Sequence, residues 1–167
     1  MTNTNEQTDA EIRTATSADR DATVAVWRAA ELTRPWNDPT ADFNLAQAGN
    51  ASDVLLALDP SGAVAGTVMV GFDGHRGWIY YLGVHPDHQR QGIGRQLMRA
   101  AEDWLRARDC PKLMFMVRSD NLATRAFYTA LGYETQGVET LGRRLDGLQA
   151  DAANLSNLAN PGTSPKA

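Results

Sequence analysis

Cysteine is almost absent from these 167 residues: Cys110 stands alone. That excludes an intrachain disulfide and any zinc site built on a cysteine pair. Cys110 precedes Pro111 in a predicted helix-to-strand link and reads as structural rather than nucleophilic. Long apolar runs are missing too, so no stretch is expected to span a bilayer. Residues 1–10 are polar and lack an apolar core, which predicts a cytoplasmic setting and no membrane partner. Basic excess is also lacking. Sixteen Lys and Arg against 20 Asp and Glu leave a net charge of −4, whereas a nucleic-acid partner needs a basic stripe. No G-x-x-x-x-G-K-[ST] run occurs, which excludes a nucleoside-triphosphate loop. What remains is 43% hydrophobic and long enough for one domain with a real core.

The chain is organised around Gln89-Arg90-Gln91-Gly92-Ile93-Gly94-Arg95. The apolar stretch 78–84 runs into it. A helix with Ile93, Leu97, Ala101, Trp104 and Leu105 on one face runs out of it. First-turn N–H groups of a helix have no intrahelical acceptor, and the helix dipole is positive there. Glycines at 92 and 94 let an anion approach those amides, and Arg90, Arg95 and Arg99 add local positive charge. The stretch reads as a seat for a phosphate or pyrophosphate. A dinucleotide fingerprint would need a third glycine where Leu97 stands.

Taken in order, residues 1–10 are expected to be a disordered leader and 147–167 a disordered tail, with a weak helix over 148–158 as the alternative for the latter. Between them, 11–146 is expected to form one domain. A short strand over 12–15 precedes a helix over 18–32 capped by Ser17. Residues 33–39 form a two-proline loop in which Trp36 is either a lid or structural. Asp38 is placed to cap a second helix, around 41–48. Three antiparallel strands follow, over 53–59, 63–72 and 78–84, joined by turns of hairpin composition. Gly83 suggests a bulge in the third of them. A helix to about 108, a strand over 112–117, a helix over 121–131 ended by Gly132, and strands over 133–138 and 141–145 complete a mixed α/β sheet flanked by helices.

The Q-x-x-G-x-G run behind Leu82-Gly83-Val84 resembles the acetyl-CoA pyrophosphate loop of the GNAT superfamily of N-acetyltransferases. A second segment, Asn121-Leu-Ala123-Thr-Arg-Ala-Phe127-Tyr128-Thr-Ala-Leu131-Gly132-Tyr133, is similar to that family's N-x-x-A-x-x-F-Y-x-x-L-G-[FY]. As a helix it would bury Ala123, Phe127 and Leu131. Within the family the chain resembles the small YpeA-type proteins through Leu-Thr-Arg-Pro-Trp-Asn-Asp-Pro (32–39), Gly-Thr-Val-Met (66–69), Asp-Gly-His-Arg-Gly (73–77), Tyr-Leu-Gly-Val-His-Pro (81–86), Cys-Pro-Lys (110–112) and Leu-Gly-Arg-Arg-Leu (141–145).

The resemblance implies a mostly antiparallel sheet with about four helices, splayed at the fourth and fifth strands, and acetyl-CoA as co-substrate with no metal. It implies N-acetyl transfer to a primary amine, on a small molecule or a protein, by a monomer or homodimer. Leu82, Gly83, Val84, Gln89, Arg90, Gln91, Gly92, Ile93, Gly94, Arg95, Asn121, Ala123 and Tyr128 are the implied cofactor contacts. Val84 supplies an oxyanion N–H from beside the Gly83 bulge, and Tyr128 a proton for the leaving thiolate. Many relatives carry a basic carboxylate on the fourth strand, but Trp78-Ile79-Tyr80-Tyr81 offers none. Asp38, Asp73, His75 and Glu139, or a water chain, are candidates for that base. Trp36, Tyr80 and Tyr81 suggest an aromatic acceptor wall, with core packing an equal explanation. The alternative to an enzyme is an acyl-CoA-binding module of the same fold, for which Tyr128 would be unnecessary.

Overall fold

The computed structural model describes residues 10–145, so the expected leader and tail lie outside the described residues except for Ala10. Ala10 departs from the leader expectation: its N–H donates to Gln96 Oε1 at 2.8 Å. The chain resolves into two units, one ending at Leu131 and one starting at Gly132. The first holds the sheet β1 (Glu11–Thr14), β2 (Ser52–Leu58), β3 (Val64–Phe72), β4 (Gly77–Val84) and β5 (Leu113–Phe115), in that spatial order. Its helices are α1 (Arg20–Ala29), α2 (Pro39–Gln47), α3 (Ile93–Arg106) and α4 (Leu122–Ala130). Neighbouring strands are antiparallel except β4 and β5, which run parallel. This is the α/β architecture expected from the element order.

Central strands β2 and β3 are apolar on both faces because helices cover both. Val54 and Leu56 join Trp27 of α1 and Phe43 of α2 in one fully buried cluster. On the opposite face, a Cβ added at Gly66 would sit 3.0 Å from Ile93 and 3.1 Å from Leu97 of α3. Glycine there lets the helix lie directly on the strand. Helix α3 buries Ile93, Leu97, Met98, Ala101 and Leu105. Trp104, expected in that stripe, is only half-buried, and its indole N–H donates to Asp53 Oδ2 at 2.8 Å.

Local chemistry moves several boundaries. The first helical turn is capped by Thr16, not Ser17: Asp19 Oδ2 accepts from the Thr16 N–H at 2.7 Å and from its hydroxyl at 2.9 Å. Asp38 caps α2 as expected, accepting from the Thr40 N–H at 2.9 Å, with Pro39 opening the helix. The stripe expected on α4 is displaced. Tyr128 is its buried residue, while Ala123 is exposed and Phe127 half-buried. The ring of Tyr128 packs on Phe115 of β5 at 4.2 Å between centroids. The hairpin expected over 133–145 does not form: no strand occurs there among the described residues. Its apolar residues Val138, Leu141 and Leu145 are all exposed. With those side chains unburied, the segment lacks the apolar packing that a two-stranded ribbon needs to be stable.

The bulge in β4 is real but lies two residues before Gly83. Thr67 pairs with Gly83 and Met69 with Tyr80, so β4 carries one more residue than β3 across the same span. Tyr81 takes up the excess in the left-handed region, at φ +50°. Gly83 is needed for space instead. A Cβ there would meet Leu32 Cδ1 at 2.6 Å and Ala30 Cβ at 3.2 Å, behind α1.

Candidate active site

Strands β4 and β5 pair only from Gly77 with Leu113 to Ile79 with Phe115. Among the described residues, no strand pairs with the outer edge of β4 beyond Ile79. His85 donates its N–H across to Ala65 O of β3 at 2.8 Å. Successive N–H groups of an extended chain point to opposite edges, so the Val84 N–H faces the open side. The Val84 carbonyl faces the same way and accepts from Gln89 Nε2 at 3.3 Å. Gln89 thus ties the glycine loop to the strand edge.

The loop reaches α3 through two left-handed residues, Arg90 at φ +66° and Gly92 at φ +83°, and Gly92 is the residue that caps the helix. The amides of Ile93 and Gly94 follow in the first turn, where no i−4 acceptor exists. Arg90, Arg95 and Arg99 are exposed around that end. Gln91 Nε2 reaches back to Asp87 O at 3.4 Å. Gly94 closes the circle: a Cβ on it would lie 3.4 Å from Phe127 Cζ and 3.9 Å from Val84 Cγ2. The end of β4, the start of α3 and Phe127 of α4 therefore lie side by side. Burial pushes the Tyr128 phenol up to about 12, so it holds its proton throughout the neutral range. Asn121 is turned to capping: its Oδ1 accepts from the Thr124 N–H at 3.1 Å.

A cavity of about 390 Å³ lies on the α2 side of the sheet, lined among others by Asn37, Asp42, Leu45, Met69, Tyr80 and Tyr81. The Tyr81 phenol donates to Asp42 Oδ2 at 2.5 Å. Desolvation first, and Asp42 second, hold that phenol well above the usual tyrosine range. Its ring stacks on Trp27 at 4.0 Å between centroids. The Trp27 indole N–H donates to Thr67 Oγ1 at 2.9 Å, and the Thr67 hydroxyl donates to the Tyr81 carbonyl at 3.1 Å. Side chain and backbone of the bulge residue are thereby fixed together.

The residues proposed from sequence for the acceptor side have diverse settings. Tyr80 lines the cavity, and Trp36 lies exposed on the α1–α2 loop. Asp38 is engaged in its helix cap. Asp73 organises the β3–β4 turn, accepting from the N–H groups of Arg76 and His75 at 2.6 and 2.8 Å and from Trp78 Nε1 at 2.8 Å. The Arg76 N–H first, then the indole, depress its carboxyl to about 2, which makes it a weak base. His75 is exposed in the same turn, and Glu139 is exposed in the unit that begins at Gly132. Sequence reading missed Asp42. It sits one helical turn after Asp38, and only the tyrosine brought to it by the sheet marks it out.

Comparison with known proteins places the fold in a family. A model of the Acetyltransferase (GNAT) family matches residues 22–133. An acetyltransferase of Yersinia enterocolitica is 44% identical over 135 residues, covering 81% of this chain and 95% of that protein. The ribosomal-protein-S18-alanine N-acetyltransferase of Escherichia coli superposes with a TM-score of 0.64 at 27% identity, over 73% of this chain and 76% of that one. The AAC(6')-Iy structure, in complex with the bisubstrate analog CoA-S-monomethyl-acetylneamine, shares the fold with a TM-score of 0.70 at 16% identity, over 80% and 97%. Among the described residues, no helix is long and apolar enough to cross a membrane. With a family model over more than half its length and a relative 44% identical across four-fifths of it, the chain belongs to the GNAT family and is an acyl-CoA-dependent acetyltransferase.

Proposed function

We propose that the enzyme, acting as one domain over 11–146 in the cytoplasm and belonging to the YpeA-type subgroup, transfers the acetyl group of acetyl-CoA directly to a primary amine. The observation that carries this is the Val84 N–H on the unpaired edge of β4, beside the glycine loop. In the proposed complex the pyrophosphate lies on the first-turn amides of α3, with Arg90 and Arg95 beside it. The pantetheine arm pairs with the edge of β4 at 82–84 as an added strand. The thioester carbonyl then points at the Val84 N–H.

A neutral amine attacks the acetyl carbon, and the carbonyl electrons move onto oxygen, where the Val84 N–H stabilises them. Collapse of the tetrahedral species breaks the C–S bond. The sulfur takes up a proton from Tyr128, which the relaxing solvent replaces. The amine releases its proton to water. Asn121 and Ala123 line the arm at the start of α4. A reading as a binding module without turnover gains nothing from a buried, protonated Tyr128.

Calorimetry with acetyl-CoA tests the proposal on wild type, Gly92→Glu and Tyr128→Phe. Wild type and Tyr128→Phe should bind alike, and Gly92→Glu should not bind. Thiol release by Tyr128→Phe should fall about 10²-fold, at the low end for general acid catalysis. Failure of wild type to bind any acyl-CoA would refute the site.

A further inference from the structure

None of the residues lining the cavity on the α2 side is among the proposed acetyl-CoA contacts, yet its composition is selective. Among the described residues that line it, Asp42 alone carries a formal charge. The rings of Tyr80 and Tyr81 and the apolar side chains of Leu45 and Met69 line the same cavity, and the Arg34 cation acts on the Tyr81 phenol from nearby. Asp42 is half-buried at the start of α2, whose first turn favours an anion. Its Oδ2 is oriented by the Tyr81 phenol, and Tyr81 is held by Trp27 and Thr67. A carboxylate accepts several hydrogen bonds, so one phenol leaves it capacity for a further donor. Aromatic rings beside it attract a cation further.

We propose that Asp42 is the specificity-determining residue of the acceptor site, binding a cationic group, distinct from the neutral amine that is acetylated, on a small amine whose apolar body packs on Leu45, Met69 and Tyr80. The inference rests on the acetyl-transfer reading above and names the class of acceptor for it. It also ties the two halves of the site together. The tyrosine whose phenol orients Asp42 is the same residue whose left-handed backbone creates the bulge ahead of Val84. A substrate held by Asp42 is thereby registered against the edge of β4 through one rigid side chain.

Phenethylamine and its neutral isostere phenethyl alcohol are the probes, titrated into the intact chain with and without desulfo-CoA. Wild type should prefer the amine at least tenfold. Asp42→Asn should lose that preference while keeping its affinity for the alcohol and for desulfo-CoA within twofold. Equal binding of amine and alcohol by wild type, including no binding of either, overturns the assignment, as does a preference that survives in Asp42→Asn. A second variant, Asp42→Glu, guards against a folding defect and should retain part of the preference. The two readings fail separately. Loss of desulfo-CoA binding by wild type strikes the transferase site, whereas loss of amine selectivity alone strikes only Asp42.

Discussion

Replacing Thr67 by valine tests whether the bulge in β4 is held by one buried hydroxyl. The two side chains are nearly isosteric, so packing is kept and only the oxygen is lost. Thr67 and Trp27 are both fully buried. Without the oxygen, the Trp27 indole N–H loses its acceptor at 2.9 Å and the Tyr81 carbonyl its donor at 3.1 Å. Each buried orphan costs about 1–3 kcal/mol. The half-buried Tyr81 carbonyl recovers some of this from water, so the expected loss is about 2–4 kcal/mol. Urea unfolding reads it directly: with a slope of about 2 kcal/mol/M, the midpoint should fall by about 1–2 M. Thr67→Ser is the control. It keeps the oxygen, removes one methyl, and should cost only about 1 kcal/mol. Acetyl-CoA-dependent thiol release, measured where both variants remain folded, should be impaired more in Thr67→Val, because the freed bulge misplaces the Val84 N–H. Valine as stable and as active as serine would refute the reasoning and leave the bulge to be held by stacking alone.

The glycines of the loop should separate by mechanism. Gly92→Ala forces a Cβ into a left-handed position at φ +83°, costing about 1–2 kcal/mol as well as acetyl-CoA affinity. Gly94→Ala meets Phe127 only at 3.4 Å, an ordinary contact, so calorimetry should show weaker acetyl-CoA binding with an unchanged unfolding midpoint. Asp73 makes a pH prediction. Its carboxyl is depressed in the fold to about 2, below the unfolded value near 3.9. Its contribution to stability is therefore complete above about pH 4 and lost as pH falls toward 2. Asp73→Asn should be less stable than wild type at pH 6, with the difference shrinking between pH 4 and 2 in urea titrations.

Much of this protein was legible before any fold was known, because its signals are local. The spacing of Ile93, Leu97, Ala101 and Leu105 defines a helix face, and Gly92 marks its start. Asp38 before Pro39 is a cap wherever it occurs. The order of elements, and with it the α/β sheet, follows from such signals taken in sequence. Other features depend on residues far apart in the chain. Gly83 looked like the bulge because glycine tolerates any backbone angle, but it is glycine because Leu32 and Ala30 press on it. The bulge fell to Tyr81 because Trp27, Asp42 and Thr67 hold it, and none of these is adjacent in sequence. Tyr128 became the buried residue of α4 because Phe115 of β5 lies against it, a contact no helical period can reveal. Periodicity and caps are written in neighbouring residues, so the sequence by itself determined the helices and strands up to Ala130 and their order. Which side chain faces which is a matter of packing between distant segments, and that only the tertiary structure decided.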